Sequence, residues 1–186
     1  MNKKTITAIC GRTSSGKDYI AKRLSTILDY PLVVSHTTRP IRSNETNGVE
    51  HWFDSKEEFK NILDNQTVIA YTKIGEYEYC ATLEDIEDNC IYVIDPLGIK
   101  YLQEHFKNQI NLKIIYIYCD EHIRRARAST RSDFKTEWED RNKAEDEQFT
   151  EFEANRPWDL LIDNSYTNLN MDLVKKQVKW MLNREK

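Results

Sequence analysis

Apolar residues come in short, dense runs: Thr5–Cys10, Leu32–Ser35, Cys90–Asp95, Lys113–Cys119 and Leu160–Asp163. They are rich in Ile, Val and Tyr, and most are continuous rather than alternating. Such runs suit strands buried on both faces of a parallel sheet. Between them the period lengthens. Lys17–Leu28 puts Ile20, Leu24, Ile27 and Leu28 on one helical face. Leu97–Phe106 is a shorter helix, and Glu121–Arg131 and Glu137–Ala154 are strongly charged ones. Leu169, Leu173, Val174, Val178, Met181 and Leu182 form an apolar stripe near the C-terminus. Strand runs alternating with helices predict an α/β fold, a three-layer αβα arrangement around a five-stranded parallel sheet with right-handed crossovers.

One region breaks the alternation. From Thr37 to Asn89 the chain is longer than a crossover needs. It holds a short run at His51–Phe53, a helix at Lys56–Leu63, and a hairpin of Val68–Lys73 and Glu76–Cys80 around Gly75. We read it as an inserted mixed α/β lobe. No internal repeat or linker composition is present. The expected organisation is one domain over 1–186, with a core of 1–36 and 90–186 and a lobe of 37–89.

Composition narrows the class. A net charge of −4 argues against a broad nucleic-acid footprint. No apolar run approaches the about 20 residues of a membrane helix. Met1–Ile9 has no secretory pattern, so a cytoplasmic location is expected, with no nucleic-acid or membrane partner. The 4 cysteines lack C-x-x-C spacing and read as buried thiols rather than a zinc site. With only 5 glycines, flexible and fibrous classes are excluded. All of them (Gly11, Gly16, Gly48, Gly75, Gly98) are expected in loops around one site.

The strongest motif is Gly11-Arg12-Thr13-Ser14-Ser15-Gly16-Lys17-Asp18, a G-x-x-x-x-G-K phosphate loop between an apolar strand and an amphipathic helix. Glycines let the backbone wrap a phosphate with its N–H groups inward, Lys17 adds a point charge, and the helix contributes its positive end. A hydroxyl usually follows the lysine to hold Mg²⁺. Asp18 stands there instead, either as a Mg²⁺ ligand or as a charge on the helix N-terminus.

A second string follows: Ser35-His36-Thr37-Thr38-Arg39-Pro40-Ile41-Arg42, running on to Phe53. Arg39 and Arg42, with hydroxyls before them, suit a dianionic phosphate. Two phosphate sites in one small α/β chain point to phosphoryl transfer between two bound substrates.

The Ser35–Phe53 segment, with Asp54–Phe59 after it, resembles the nucleotide-binding segment of the guanylate kinase family, whose pattern is close to S-x-T-T-R-x-P-R-x-G-E-x-x-G-x-x-Y-x-F. The order of elements is similar over nearly the whole chain. The resemblance implies ATP bound by Gly11 to Asp18 (Gly11, Arg12, Thr13, Ser14, Ser15, Gly16, Lys17, Asp18), Mg²⁺ as cofactor, and a nucleoside monophosphate as acceptor. It implies an acceptor site of Ser35, Arg39, Arg42, Glu45, His51, Tyr79 and Asp95. Lys17, Arg127, Arg131 and Arg141 take the catalytic roles, the last three on a helical lid at about 125–145. Arg124 and Arg125 read as a solvated helix face.

The departures concern the base. Ala70 stands at the family's guanine-reading glutamate. Ala81, Cys80 and Val93 replace a serine, a glycine and an acid, and His51 replaces a tyrosine. A carboxylate is the natural partner of the guanine N1–H and 2-amino donors. The leading expectation is ATP-dependent phosphorylation of GMP or dGMP. The alternatives are a kinase of this fold with another acceptor, nucleotide or phosphorylated sugar, and a non-catalytic phospho-ligand module.

Overall fold

Four of the five apolar runs become full strands. The computed structural model describes residues 3–43, 45–130, 134–166 and 168–184, without the side chains of 134–137, 140 and 141. Strand β1 (Lys4–Cys10) lies between β6 (Cys90–Val93) and β7 (Ile110–Tyr118), and β8 (Leu160–Asp163) flanks β7. All pairings in this sheet are parallel. The Leu32–Ser35 run contributes one parallel bridge, Leu32 to Ile91, so the expected fifth strand is a single-residue edge. Pro31 enters the run without an N–H. By residue 36 the chain has already crossed into a second sheet.

The sheet has two apolar faces, as a three-layer packing requires. Ile6, Ala8, Ile114 and Tyr116 face Ile99 and Leu102 of α3 (Pro96–His105) and Phe149 and Phe152 of α5 (Phe134–Asn155). Ile9, Ile115 and Ile117 face Ile20 and Leu24 of α1 (Lys17–Leu28) and Val174 and Val178 of α6 (Met171–Leu182). Helix α4 (Glu121–Ala128) ends earlier than its charged pattern predicts. All four cysteines are buried and free. No described helix is long and apolar enough to cross a membrane.

The inserted region builds its own mixed sheet. Its order is β3 (Trp52–Phe53), β2 (His36–Thr37), β5 (Tyr77–Thr82), β4 (Val68–Ile74). The expected hairpin is present: Ile74 pairs with Tyr77 across Gly75–Glu76, and Gly75 has a φ of 62°. Helix α2 (Lys56–Asn65) opens on a reciprocal cap. Ser55 Oγ accepts from the Glu58 N–H, and the Glu58 carboxylate accepts from the Ser55 N–H.

One glycine departs from expectation. Gly98 lies in the first turn of α3 rather than in a loop, and its N–H donates to Asp95 Oδ1 at 2.7 Å. A Cβ there would stand 2.6 Å from Ile94 Cγ1, so close packing explains the glycine.

At the root of the second sheet His36 sits between two carboxylates. Nδ1 is 2.8 Å from Asp54 Oδ2 and Nε2 is 3.7 Å from Asp85 Oδ1. Asp85 also accepts from the Thr82 N–H and hydroxyl. Burial pulls the His36 pKa down, but the bonds to Asp85 and Asp54 outweigh it and raise the pKa above 6.5. Burial lifts Asp85, and the bonds from His36 and Thr82 turn its net shift downward. A histidine raised in the folded state stabilises fully below its unfolded pKa, and the contribution is lost as pH rises through the folded one. Urea midpoints are therefore expected to fall as pH rises above about 6.5 in the wild type and to flatten in His36→Asn. An equal slope in the variant would contradict the assignment.

Candidate functional site

The segment between β1 and α1 must turn sharply against the end of β7. At Gly11 a Cβ would stand 2.7 Å from the Ile117 carbonyl oxygen, which leaves room for hydrogen alone. Two residues then take left-handed backbone, Ser14 at φ 62° and Gly16 at φ 88°. Such turns direct successive N–H groups into one concavity, which suits an anion. The Ser14 and Ser15 hydroxyls are buried with no partner, and Lys17 follows at the start of α1. Orphaned donors beside a lysine and a helix N-terminus fit a polyphosphate.

The loop is held from two sides. The Ser15 carbonyl accepts from Asn164 Nδ2 at 2.7 Å and from Arg127 Nη1 at 3.2 Å. Arg127 Nη2 also reaches the Asn164 carbonyl at 2.9 Å. On the other side Glu145 of α5 accepts from the Thr13 N–H and the Thr13 hydroxyl. Arg124 Nη1 donates to the Thr13 carbonyl and to Asn142 Oδ1. Arg124 is 3% exposed and lies over the Trp138 ring, which corrects the reading of it as a solvated face. Arg125 is exposed, as that reading has it.

The second anion site is organised by Glu45. Its carboxylate takes Nη1 and Nη2 of Arg39 at 2.9 and 2.8 Å and the Arg42 N–H at 2.9 Å. Arg39 is buried, lies over the Phe53 ring, and faces Tyr79. Burial alone lifts the Glu45 pKa, but the Arg39 and Arg42 bonds hold it below the ordinary carboxylate value. His51 Nδ1 and Ser35 Oγ share a hydrogen bond at 2.9 Å, and the His51 ring meets Tyr79 edge to face. Burial, then the Arg39 charge, lowers the His51 pKa, which favours the neutral imidazole. Burial raises the pKa of Asp95, which caps α3. Thr72 Oγ1 is buried beside it, and its hydrogen bond to the carboxylate opposes that rise.

The two sites open on one cavity of about 1170 Å³. Lys17, Asp18, Arg39, Arg42, Tyr79 and Asp95 all line it. The Asp18 side chain is 71% exposed, with a carboxylate oxygen 3.8 Å from Lys17 Nζ. A second hollow of about 570 Å³ lies on the other side of Gly16, between Tyr19, Arg127, Asn164 and Tyr166. Arg12 lines neither hollow, and its side chain runs to α5. Arg131 lies outside the described residues. Arg141 lies in α5, and its side chain is likewise outside them.

Asn164, Glu145 and Arg124 are site residues that sequence reasoning missed. Asn164 had a usable signal, since it follows directly on a parallel strand, where open α/β sheets place their ligands. Glu145 and Arg124 had none, because the loop groups they hold, at Thr13, are distant in sequence.

A phosphate loop on a parallel sheet, facing an inserted lobe with its own paired arginine, defines a class of phosphate-binding α/β proteins. Within that class the guanylate kinase family model matches residues 3–184, and the chain belongs to the guanylate kinase family. The guanylate kinase of Wigglesworthia glossinidia brevipalpis is 29% identical over 124 residues, 62% of this chain and 60% of that protein. That of Mesoplasma florum is 28% identical over 172 residues, 88% of this chain and 56% of that protein. The chain thus spans less than two thirds of the length of these curated relatives. The solved guanylate kinase of Anaplasma phagocytophilum shares the fold, with a TM-score of 0.73 at 22% identity over 99% of this chain and 90% of that one.

Because Arg39 is buried and the Glu45 side chain is only 11% exposed, removing one strands the other. Glu45→Ala is expected to destabilise the fold by about 3 kcal/mol, read as a lower urea midpoint. An unchanged midpoint would remove Glu45 as the organiser of this loop.

Proposed function

We propose that the chain is an ATP-dependent nucleoside monophosphate kinase that transfers the ATP γ-phosphoryl group to GMP or dGMP. The observation that carries this reading is the shared cavity, which places the phosphate loop and the Arg39–Glu45–Tyr79 site on one continuous space. Membership of the guanylate kinase family supports it.

In this reading Gly11–Asp18 cradle the donor phosphates with backbone N–H groups and the Ser14 and Ser15 hydroxyls. The hollow beside Tyr19 and Tyr166 takes the donor nucleoside, whose aromatic base suits their exposed rings. Arg39, Arg42 and Tyr79 hold the acceptor phosphate, with Ser35, His51 and Asp95 around the rest of the nucleotide. An acceptor phosphate oxygen attacks the γ-phosphorus, the bond to the β–γ bridging oxygen breaks, and ADP leaves with the electron pair. No protein nucleophile is needed. Positioning and neutralisation of charge by Lys17 and the lid arginines Arg127, Arg131 and Arg141 carry the rate. Arg127 is already anchored to the loop through the Ser15 carbonyl.

Among the described residues no cluster of His, Cys, Asp or Glu forms a metal cage. Mg²⁺ at phosphates needs none, since it keeps water and takes one or two carboxylates. The exposed Asp18 carboxylate beside Lys17 fits that role. Mg²⁺ bound there supplies charge neutralisation on the donor phosphates.

The base wall favours a second reading, a kinase of this fold with another acceptor. Ala70 and Ala81 are paired neighbours on β4 and β5, 3% and 0% exposed. Ala70 lines the shared cavity and offers a methyl group where guanine would need an acceptor, while Ala81 is not among the lining residues.

ADP release against a panel of ribo- and deoxyribonucleoside monophosphates tests both. Preference for GMP or dGMP supports the first reading, and failure of both with turnover of another acceptor supports the second. Lys17→Ala is expected to lower kcat by about a hundredfold or more, while Arg42→Ala mainly raises the acceptor KM. Equal loss of ATP binding in both would contradict the division of roles.

A further inference from the structure

Arg12 sits inside the phosphate loop, yet its guanidinium turns away from both hollows. Nε and Nη2 take the two oxygens of Glu153 at 3.0 and 3.1 Å, a bidentate fork. Nη1 reaches Asp146 Oδ1 at 2.5 Å, and the guanidinium lies over the Phe149 ring, 5.0 Å from its centroid. From the sheet, the Tyr116 hydroxyl of β7 donates to the same Glu153 carboxylate. Burial raises the Glu153 pKa, but the bonds from Arg12 and Tyr116 turn its net shift downward, which keeps the carboxylate charged.

The partners form a pattern on α5. Trp138, Asn142, Glu145, Asp146, Phe149 and Glu153 recur at the three- and four-residue steps of one helical face. That face meets Arg12, Thr13 and Arg124, with a hydrogen-bonding or ring partner at each step. The same stretch of helix lines the shared cavity through Glu145, Gln148 and Phe149. An apolar face would hold α5 at least as firmly at lower desolvation cost. A fork of five fixed donors adds direction, because it is satisfied in one orientation.

We propose that Arg12 is a positioning residue for phosphoryl transfer. Through Glu153 and Asp146 it locks α5 onto the phosphate loop, setting the helix that carries Arg141 at a fixed distance from the transferred group. The proposal rests on the kinase reading given above. The Arg12 side chain touches no substrate. It acts through the helix, so its loss is felt in the rate of the chemical step rather than in the binding of either nucleotide.

The test combines kinetics with amide hydrogen exchange on the whole chain. Arg12→Lys and Glu153→Gln are each expected to lower kcat by about tenfold to a hundredfold, with both KM values within about twofold of wild type. The double variant is expected to fall no further than the worse single one, since both remove the same lock. Without any nucleotide, amides of residues 11–17 are expected to exchange faster in Glu153→Gln than in wild type. Unchanged kcat in both single variants would overturn the proposal. So would a rise in the KM for ATP with kcat intact, or unchanged exchange across the loop. Failure of the kinase reading would look different. The wild type itself would transfer nothing to any acceptor, while the exchange contrast would still report on the lock.

Discussion

A phosphate loop is a stretch of backbone whose N–H groups are turned toward a space that water or an anion must fill. Its own carbonyls and flanks then need partners from elsewhere, or the turn collapses. The rest of this molecule is arranged around that need. Asn164 and Arg127 take the Ser15 carbonyl from the end of β8 and from α4. Glu145 takes the Thr13 N–H from α5, and Arg124 takes the Thr13 carbonyl. A loop with left-handed residues at Ser14 and Gly16 would otherwise have little reason to keep its shape.

The acceptor side follows a different logic. There the anion site is built from side chains, and a long, flexible arginine must be stiffened before it is useful. Glu45 does this by occupying one edge of the Arg39 guanidinium, while the Phe53 ring covers its face. The His51–Tyr79 contact continues the same wall. This side of the cavity is therefore rigid and polar. The neighbouring wall at Ala70 is small and apolar, so the two sides of the cavity impose unequal demands on a ligand.

Much of the architecture was legible because it rests on local pattern. Continuous apolar runs marked buried parallel strands, the Gly11–Lys17 motif marked the loop, and Gly75 marked the hairpin. The Leu32–Ser35 run misled because a proline and an early change of sheet truncated it, which apolarity alone does not encode. The site was legible where motif spacing is rigid, as in Arg39 and Arg42. It was illegible at Arg124 and Glu145, which hold Thr13 of the loop from about 110 and 130 residues away in the chain, a separation that no local pattern reports.

The strand order carries one more consequence. β1 precedes the other strands of its sheet in sequence, yet it lies in the interior of that sheet, and its neighbours β6 and β7 begin at residues 90 and 110. During synthesis an apolar strand with both edges unpaired must wait until residues 90–118 have left the ribosome. The loops to be closed are long, and long-range parallel pairing is slow. The second sheet, whose strands all fall between residues 36 and 82, can pair earlier. Sequence separation thus favours early pairing in the inserted region and late pairing at β1, the strand that leads into the phosphate loop.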